Sequence, residues 1–300
     1  MPRRPTIGVF DSGFGGLTVL KQLVRLVPRA DYLYFGDTAR LPYGSKSAET
    51  VARYAVQATH FLEQKGAKFL VIACNTATAL ALPEIIAASS VPVVGVVEPG
   101  AQHAAQQTRA RKVVVIGTEA TVASHAYRHA LETRGIQAYE KACPLLVPLV
   151  EEGWIDHPVT EQVAGIYLAE AFADGFRDAD VLVLGCTHYP LLQPLLARVA
   201  PKTATIVDSA HSTAEFVAAQ LPPPEAAPTV PPIILPPGAA DATASTLKTA
   251  AAIAAAADVE RRGPTRMRFF ATDSVEKFQR LGAKFLGHPV RDVQHVDLKE

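Results

Sequence analysis

Phe69-Leu-Val-Ile-Ala-Cys74-Asn75-Thr76 and Val181-Leu-Val-Leu-Gly-Cys186-Thr187-His188 are two versions of one pattern. Each is a short apolar run, a small residue, a cysteine and then polar residues. Such a run reads as a buried strand, and the cysteine falls at its C-terminal end. Open α/β sheets bind ligands just beyond the carboxyl ends of their strands. A chain with one thiol at the same point of two similar units can offer two acid/base groups to one bound molecule.

The repeat extends outward from the cysteines. Ile7–Ser12 matches Val113–Thr118 at an offset of 106, and Ala67–Cys74 matches Ala179–Cys186 at an offset of 112. Units of strand and helix resemble each other by chance, but two segments matching in the same order predict two related halves. Strand-like runs at Ile7–Phe10, Tyr32–Phe35, Phe69–Ala73, Val91–Val97, Val113–Ile116, Val181–Leu184 and Ala204–Val207 alternate with helical patterns. That alternation predicts mainly parallel sheets. Ser47 to Lys65 predicts a helix, with Val51, Tyr54, Ala55, Ala58, Phe61 and Leu62 on one face and Gly66 as its stop. The expected architecture is two pseudo-symmetric α/β domains with the active site in the cleft between them. Residues 1–97 plus 209–300 are expected to form the first domain, and 98–208 the second.

Leu221–Pro264 is expected to be an insertion. Eight prolines fall between Pro222 and Pro237, predicting an extended loop. The alanine-rich run Ala239–Ala257 predicts a surface helix or spacer ending at Gly263-Pro264. Regular structure is expected again from Arg266 to Ala271, followed by a helix that Asp273 caps and Glu276 answers.

Composition narrows the function classes. The chain has 300 residues, 49% of them hydrophobic, enough for about two domains with a large core. The formal net charge is zero and no basic stripe appears, which argues against nucleic acid as a partner. The N-terminal Met-Pro-Arg-Arg-Pro-Thr lacks the apolar core of a signal peptide. No apolar stretch approaches the ~20 residues of a spanning helix. The three cysteines, Cys74, Cys143 and Cys186, make no disulfide framework. A cytoplasmic setting is therefore expected, without a membrane partner.

Asn75-Thr76 and Thr187-His188 are expected at or near helix N-termini, where backbone N–H groups favour anions and lower a thiol's pKa. Pro190 suits the first position of a helix, whereas Pro83 is placed to break or restart one. A single cysteine of this kind is more often a buried structural residue. Two in matched contexts favour a functional pair. Cys143 lies outside the repeat and reads as structural.

The glycine-rich Asp11-Ser12-Gly13-Phe14-Gly15-Gly16 lacks the spacing of a dinucleotide site and the lysine of a P-loop. Asp11 is either the acidic residue of a turn or a carboxylate that adjusts a neighbouring thiol. Tyr43, in Pro42-Tyr43-Gly44, either hydrogen-bonds a ligand or plugs its loop, and Asp37 is expected to be exposed or a cap. Glu151 alone reads as surface charge. His188, two residues from Cys186, is a candidate acid/base or thiol-tuning group. The histidines and cysteines carry no metal-ligand spacing.

Taken together, Phe10-Asp-Ser-Gly-Phe-Gly-Gly16, Gly36-Asp37 with Pro42-Tyr-Gly44, Cys74-Asn-Thr-Ala77, Val147-Pro-Leu-Val-Glu151 and Gly185-Cys-Thr-His-Tyr-Pro190 resemble the aspartate/glutamate racemase family. Thr76-Ala77-Thr78 and His188 resemble its glutamate branch. The resemblance covers residues 6–220 and resumes at 266–287; the 221–264 stretch departs from it. It implies a cofactor-independent racemase with no metal, acting on glutamate and supplying D-glutamate for peptidoglycan biosynthesis, with a homodimer as the expected assembly. It implies that Cys74 and Cys186 exchange protons with opposite faces of the substrate Cα. Asp11 would assist Cys74, and His188 with Glu151 would assist Cys186. Ser12, Tyr43, Gly44, Asn75, Thr76 and Thr187, joined by Asp11 and His188, would hold the substrate, and Thr118 and Thr121 would join them. Aspartate racemisation and a non-catalytic receptor for an acidic amino acid are the competing readings.

Overall fold

The computed structural model describes residues 4–221 and 265–298. The expectations for the proline-rich loop and the alanine-rich helix therefore lie outside the described residues. Ten strands are present among the described residues: β1 Thr6–Asp11, β2 Asp31–Gly36, β3 Phe69–Ile72, β4 Val93–Gly95, β5 Lys112–Gly117, β6 Gln137–Ala142, β7 Val181–Gly185, β8 Thr205–Asp208, β9 Met267–Ala271 and β10 Val293–His295. They form one six-stranded sheet ordered β10-β9-β2-β1-β3-β4 and one four-stranded sheet ordered β6-β5-β7-β8. Every pairing in both sheets is parallel.

The pairing register mirrors the repeat. β1 pairs β3 with Ile7 opposite Phe69 and Phe10 opposite Ile72. β5 pairs β7 with Val113 opposite Val181 and Ile116 opposite Leu184. The two offsets read from the sequence carry the first set of partners onto the second. Each cysteine-bearing strand thus sits beside the first strand of its own half, with the thiol beyond the same edge.

Strands buried on both faces need apolar residues at successive positions. Val9 and Phe10 are both fully buried but join different clusters, Val9 with Tyr32 and Tyr34, Phe10 with Leu33 and Phe35. The cluster containing Val9 also holds Val114, Ile116, Leu182 and Leu184, so one apolar core runs between the two sheets.

Helix Ala48–Gln64 forms as its periodicity predicts. Ser47 Oγ accepts from Thr50 N at 3.3 Å, and Val51, Ala55, Ala58 and Leu62 are buried. Gly66 ends the helix at φ +100°, a conformation glycine adopts without steric cost.

Other expectations need correction. Helix Asn75–Ala88 runs through Pro83. That residue is exposed, and Ala79, whose carbonyl it leaves without an amide, is partly exposed. The Val91–Val97 run yields only three strand residues, because helix Val97–Gln107 begins at its end. Asp273 does not cap helix Val275–Leu286. The N-cap is Ser274, and Asp273 Oδ1 instead accepts from Ser274 N at 2.7 Å. β6 and β10 had no apolar run to reveal them; β6 reads Gln-Ala-Tyr-Glu-Lys-Ala, the alternation of a half-buried edge strand.

Candidate active site

A cavity of about 450 Å3 opens at the carboxyl ends of both sheets. Ser12 lines it from the end of β1, Tyr43 and Gly44 from the loop after β2, and Cys74, Asn75 and Thr76 from the end of β3. The other half contributes Thr118 after β5, Val147, Pro148 and Glu151 after β6, and Cys186, Thr187 and His188 after β7. Both predicted cysteines line this one cavity. Its size falls in the ~300–1,000 Å3 range of small-molecule sites.

Cys74 is the N-cap of helix Asn75–Ala88. Its sulfur accepts from Ala77 N at 3.4 Å and donates to Ser12 Oγ at 3.6 Å. The helix N-terminus was expected to lower the thiol pKa. Burial and the Asp11 charge outweigh the hydrogen bonds and push it up to about 12. Cys74 is therefore a thiol at neutral pH. Asp11 is itself buried, and burial raises its carboxyl above the usual range. Its Oδ2 accepts from Gly13 N at 2.9 Å and its Oδ1 from Thr187 Oγ1 at 3.5 Å. Asp11 thus joins the end of β1 to the Cys186 loop.

Cys186 Sγ lies 4.0 Å from His188 Nδ1, and His188 Nε2 lies 3.3 Å from Glu151 Oε1. The imidazole is buried rather than solvent-facing. Burial would lower its pKa, but hydrogen bonding and charge from Cys186 and Glu151 win and push it up to about 10. Burial acts to raise the Glu151 carboxyl, yet His188 and Lys277 hold it below its usual value. The alignment is a carboxylate, an imidazolium and a sulfur in sequence, so that a proton held at His188 Nδ1 faces Cys186.

Close approach between the halves depends on glycine at two points. A Cβ at Gly15 would lie 2.3 Å from Thr187 Oγ1 and 2.6 Å from His188 Nδ1. A Cβ at Gly44 would lie 2.9 Å from Thr118 Cβ. The glycine-rich turn after β1 therefore admits the Cys186 loop against it. Three hydroxyls also meet across the halves: Thr76 Oγ1 lies 3.0 Å from Thr118 Oγ1 and 3.2 Å from Thr121 Oγ1, and the latter two are 2.9 Å apart.

The structure brings together Cys74, Cys186, Asp11, Glu151 and His188 with the predicted substrate ligands. Tyr43 takes its loop-plugging reading: its side chain is buried, and Oη donates to Asp37 Oδ2 at 2.6 Å. Asp37, expected to be exposed or a cap, is fully buried at the N-cap position of the short helix Thr38–Arg40, makes no side-chain capping bond there, and also accepts from Thr272 Oγ1 at 2.9 Å. Its neighbours from β9's end supply what the sequence could not show. Lys277 was not anticipated. It reaches the cavity from helix Val275–Leu286, with Nζ 3.7 Å from Glu151 Oε2. Glu119 and Glu152 also line the cavity. No sequence signal marks these three, because only folding brings them to the rim. Among the described residues no cluster of three or more His, Cys, Asp or Glu side chains has metal-binding geometry, and no helix is long and apolar enough to cross a membrane.

Comparison with known proteins is consistent across sequence and structure. The family described as Asp/Glu/hydantoin racemase matches residues 7–217. A glutamate racemase of Koribacter versatilis is 62% identical over 99% of this chain and 98% of its own length. The crystal structure of glutamate racemase isoform RacE1 from Bacillus anthracis superposes with a TM-score of 0.80 at 32% identity, covering 99% of each chain. That of a Francisella tularensis glutamate racemase in complex with D-glutamate superposes with a TM-score of 0.78 at 30% identity, covering 98% of each chain.

Proposed function

The chain belongs to the Asp/Glu/hydantoin racemase family, and from that premise we propose that it interconverts L- and D-glutamate by a cofactor-independent two-base reaction. The observation that carries the proposal is the opening of two sulfurs, from equivalent strand ends, onto one cavity. The product supplied to the cell is D-glutamate for peptidoglycan biosynthesis.

In one direction Cys74 acts as thiolate and takes the proton from Cα, becoming a thiol. Cys186 gives its thiol proton to the opposite face and becomes a thiolate. The reverse reaction exchanges these roles. An α-proton beside a carboxylate is very weakly acidic, so the carbanion needs preorganised donors in a water-poor site. Ser12, Asn75, Thr76 and Thr187 supply side-chain donors at the cavity wall, and Tyr43 and Gly44 supply backbone. Thr118 and Thr121 support Thr76 through the hydroxyl triangle. Burial and the Asp11 charge push the Cys74 thiol up to about 12, so this reading requires the substrate's ammonium group to compensate the thiolate. Asp11 lies close enough for its charge to act on that thiol and serves as its proton partner. His188, held protonated beside Glu151, returns a proton to Cys186.

We take residues 1–97 plus 209–300 as the first domain and 98–208 as the second, a reading supported by the sheet membership of the described strands. The working assembly is a homodimer in the cytoplasm. Sedimentation velocity tests the assembly, with a monomer at micromolar concentration as the contrary result.

Circular dichroism with D- or L-glutamate in deuterium oxide, with no cofactor added, tests the reaction. Decay of the optical signal together with deuterium uptake at Cα is the expected result. Absence of both would sink the assignment, and turnover of aspartate alone would move it to the other branch.

A further inference from the structure

We propose that Tyr127 is a positioning residue for the substrate: its hydroxyl locks the Asn75 side-chain amide so that Nδ2 serves as the donor to a substrate carboxylate oxygen. The inference rests on the glutamate reading above and assigns a role to a residue that does not line the cavity.

Tyr127 Oη donates to Asn75 Oδ1 at 2.7 Å. Asn75 lines the cavity beside Cys74 and is 2% exposed. Its Nδ2 is buried and has no hydrogen-bond partner among the described residues. A buried donor left unpaired is costly, so native structures rarely keep one without a use. An amide presents an acceptor on one side and donors on the other. A phenol that donates to Oδ1 therefore forces Nδ2 to face elsewhere. Glutamate carries two carboxylates that can accept from it.

Tyr127 is built as a fixed anchor. It is fully buried, and burial raises its pKa, so the hydroxyl keeps its proton. The ring is pressed between two backbone segments. A Cβ at Gly100 would sit 3.3 Å from Tyr127 Oη, and one at Gly185 would sit 3.2 Å from Tyr127 Cε2. Gly185 precedes Cys186, and Asn75 follows Cys74. One aromatic ring thus touches the strand end that carries one thiol and holds the amide next to the other. Tyr127 lies on helix Ala126–Glu132, which packs against the four-stranded sheet, whereas Asn75 follows a strand of the six-stranded sheet. The hydrogen bond therefore also ties the amide's orientation to the position of the second half.

Tyr127→Phe removes the hydroxyl and keeps the ring. KM for glutamate, and the calorimetric Kd for D-glutamate, are expected to rise about tenfold, with kcat changing less than about threefold. In an Asn75→Ala background the same change should have no further effect on KM, since the hydroxyl's other side-chain partner, Ser209, does not line the cavity. In the wild-type protein the Asn75 side-chain amide resonances should shift when D-glutamate saturates the site. A Tyr127→Phe enzyme with KM and Kd within about twofold of wild type, an undiminished effect in the Asn75→Ala background, or amide resonances that do not respond to D-glutamate would each overturn the inference. Racemisation that ignores Tyr127 removes this role alone. Tyr127-dependent binding without racemisation removes the reaction and leaves the role standing.

Discussion

Glu151 Oε1 lies 3.3 Å from His188 Nε2, and the other ring nitrogen faces the Cys186 sulfur at 4.0 Å. Together with Cys186, this carboxylate at the end of helix Leu146–Glu151 favours the protonated form of a histidine that follows β7. Glu151→Gln removes the charge and keeps the shape. The His188 pKa, about 10 in the intact site, should fall toward its ordinary value when followed by NMR. The rate should fall by roughly 10²-fold if His188 acts as a general acid.

The same shift has a stability consequence. His188 titrates near 10 when folded against an ordinary value of 6.5. A group whose pKa is raised by folding stabilises the protein fully below its unfolded value. That contribution declines above about 6.5 and is gone once pH has risen through about 10. Urea midpoints measured from pH 6 to pH 10.5 should therefore fall more for wild type than for His188→Gln.

In the proposed reaction Cys74 and Cys186 carry different roles at each moment and neither is dispensable. Cys74→Ser and Cys186→Ser should each lose racemisation by at least about 10³-fold, because an alcohol is a far poorer proton acceptor than a thiolate. Circular dichroism of D-glutamate solutions reads this directly. A variant with near-wild-type turnover would end the two-thiol mechanism. In the substrate-free enzyme, alkylation of Cys74 by iodoacetamide should be slow at pH 7 and accelerate with rising pH, following a thiol that ionises near 12.

Gly15 admits Thr187 and His188 to the turn after β1. Gly15→Ala places a methyl carbon 2.3 Å from Thr187 Oγ1. The Cys186 loop must then move. Loss of activity with a destabilisation of about 1–3 kcal/mol is expected, measured by kcat/KM and chemical denaturation.

Tyr43 divides structure from binding. Tyr43→Phe removes the 2.6 Å bond to buried Asp37. A cost of about 1–3 kcal/mol in stability is expected, from a buried carboxylate left short of a partner. KM for glutamate should change by less than about threefold, since the proposed contact with substrate is through backbone.

The repeat made the fold readable before any coordinates. Buried parallel strands demand unbroken apolar runs, and Phe69–Ile72 and Val181–Leu184 meet that demand in their own composition. The glycine-rich turn was legible as a turn, but its purpose was not. Gly15 is required by Thr187 and His188, which lie more than 170 positions away. Asp37 is buried rather than exposed because its partner Thr272 comes from the far end of the chain.

By itself the amino-acid order determined the buried strands β1, β2, β3, β5 and β7, the helix Ala48–Gln64 and the equivalence of Cys74 with Cys186, since these follow from local hydrophobic pattern and from self-similarity. Folding alone decided which charges face the sulfurs. Burial lifted Cys74 where the helix end was expected to lower it, and Glu151 with Cys186 kept a proton on His188 against the same burial. Desolvation and charge act through space and depend on how far water is excluded, and neither quantity is written in the sequence around a residue.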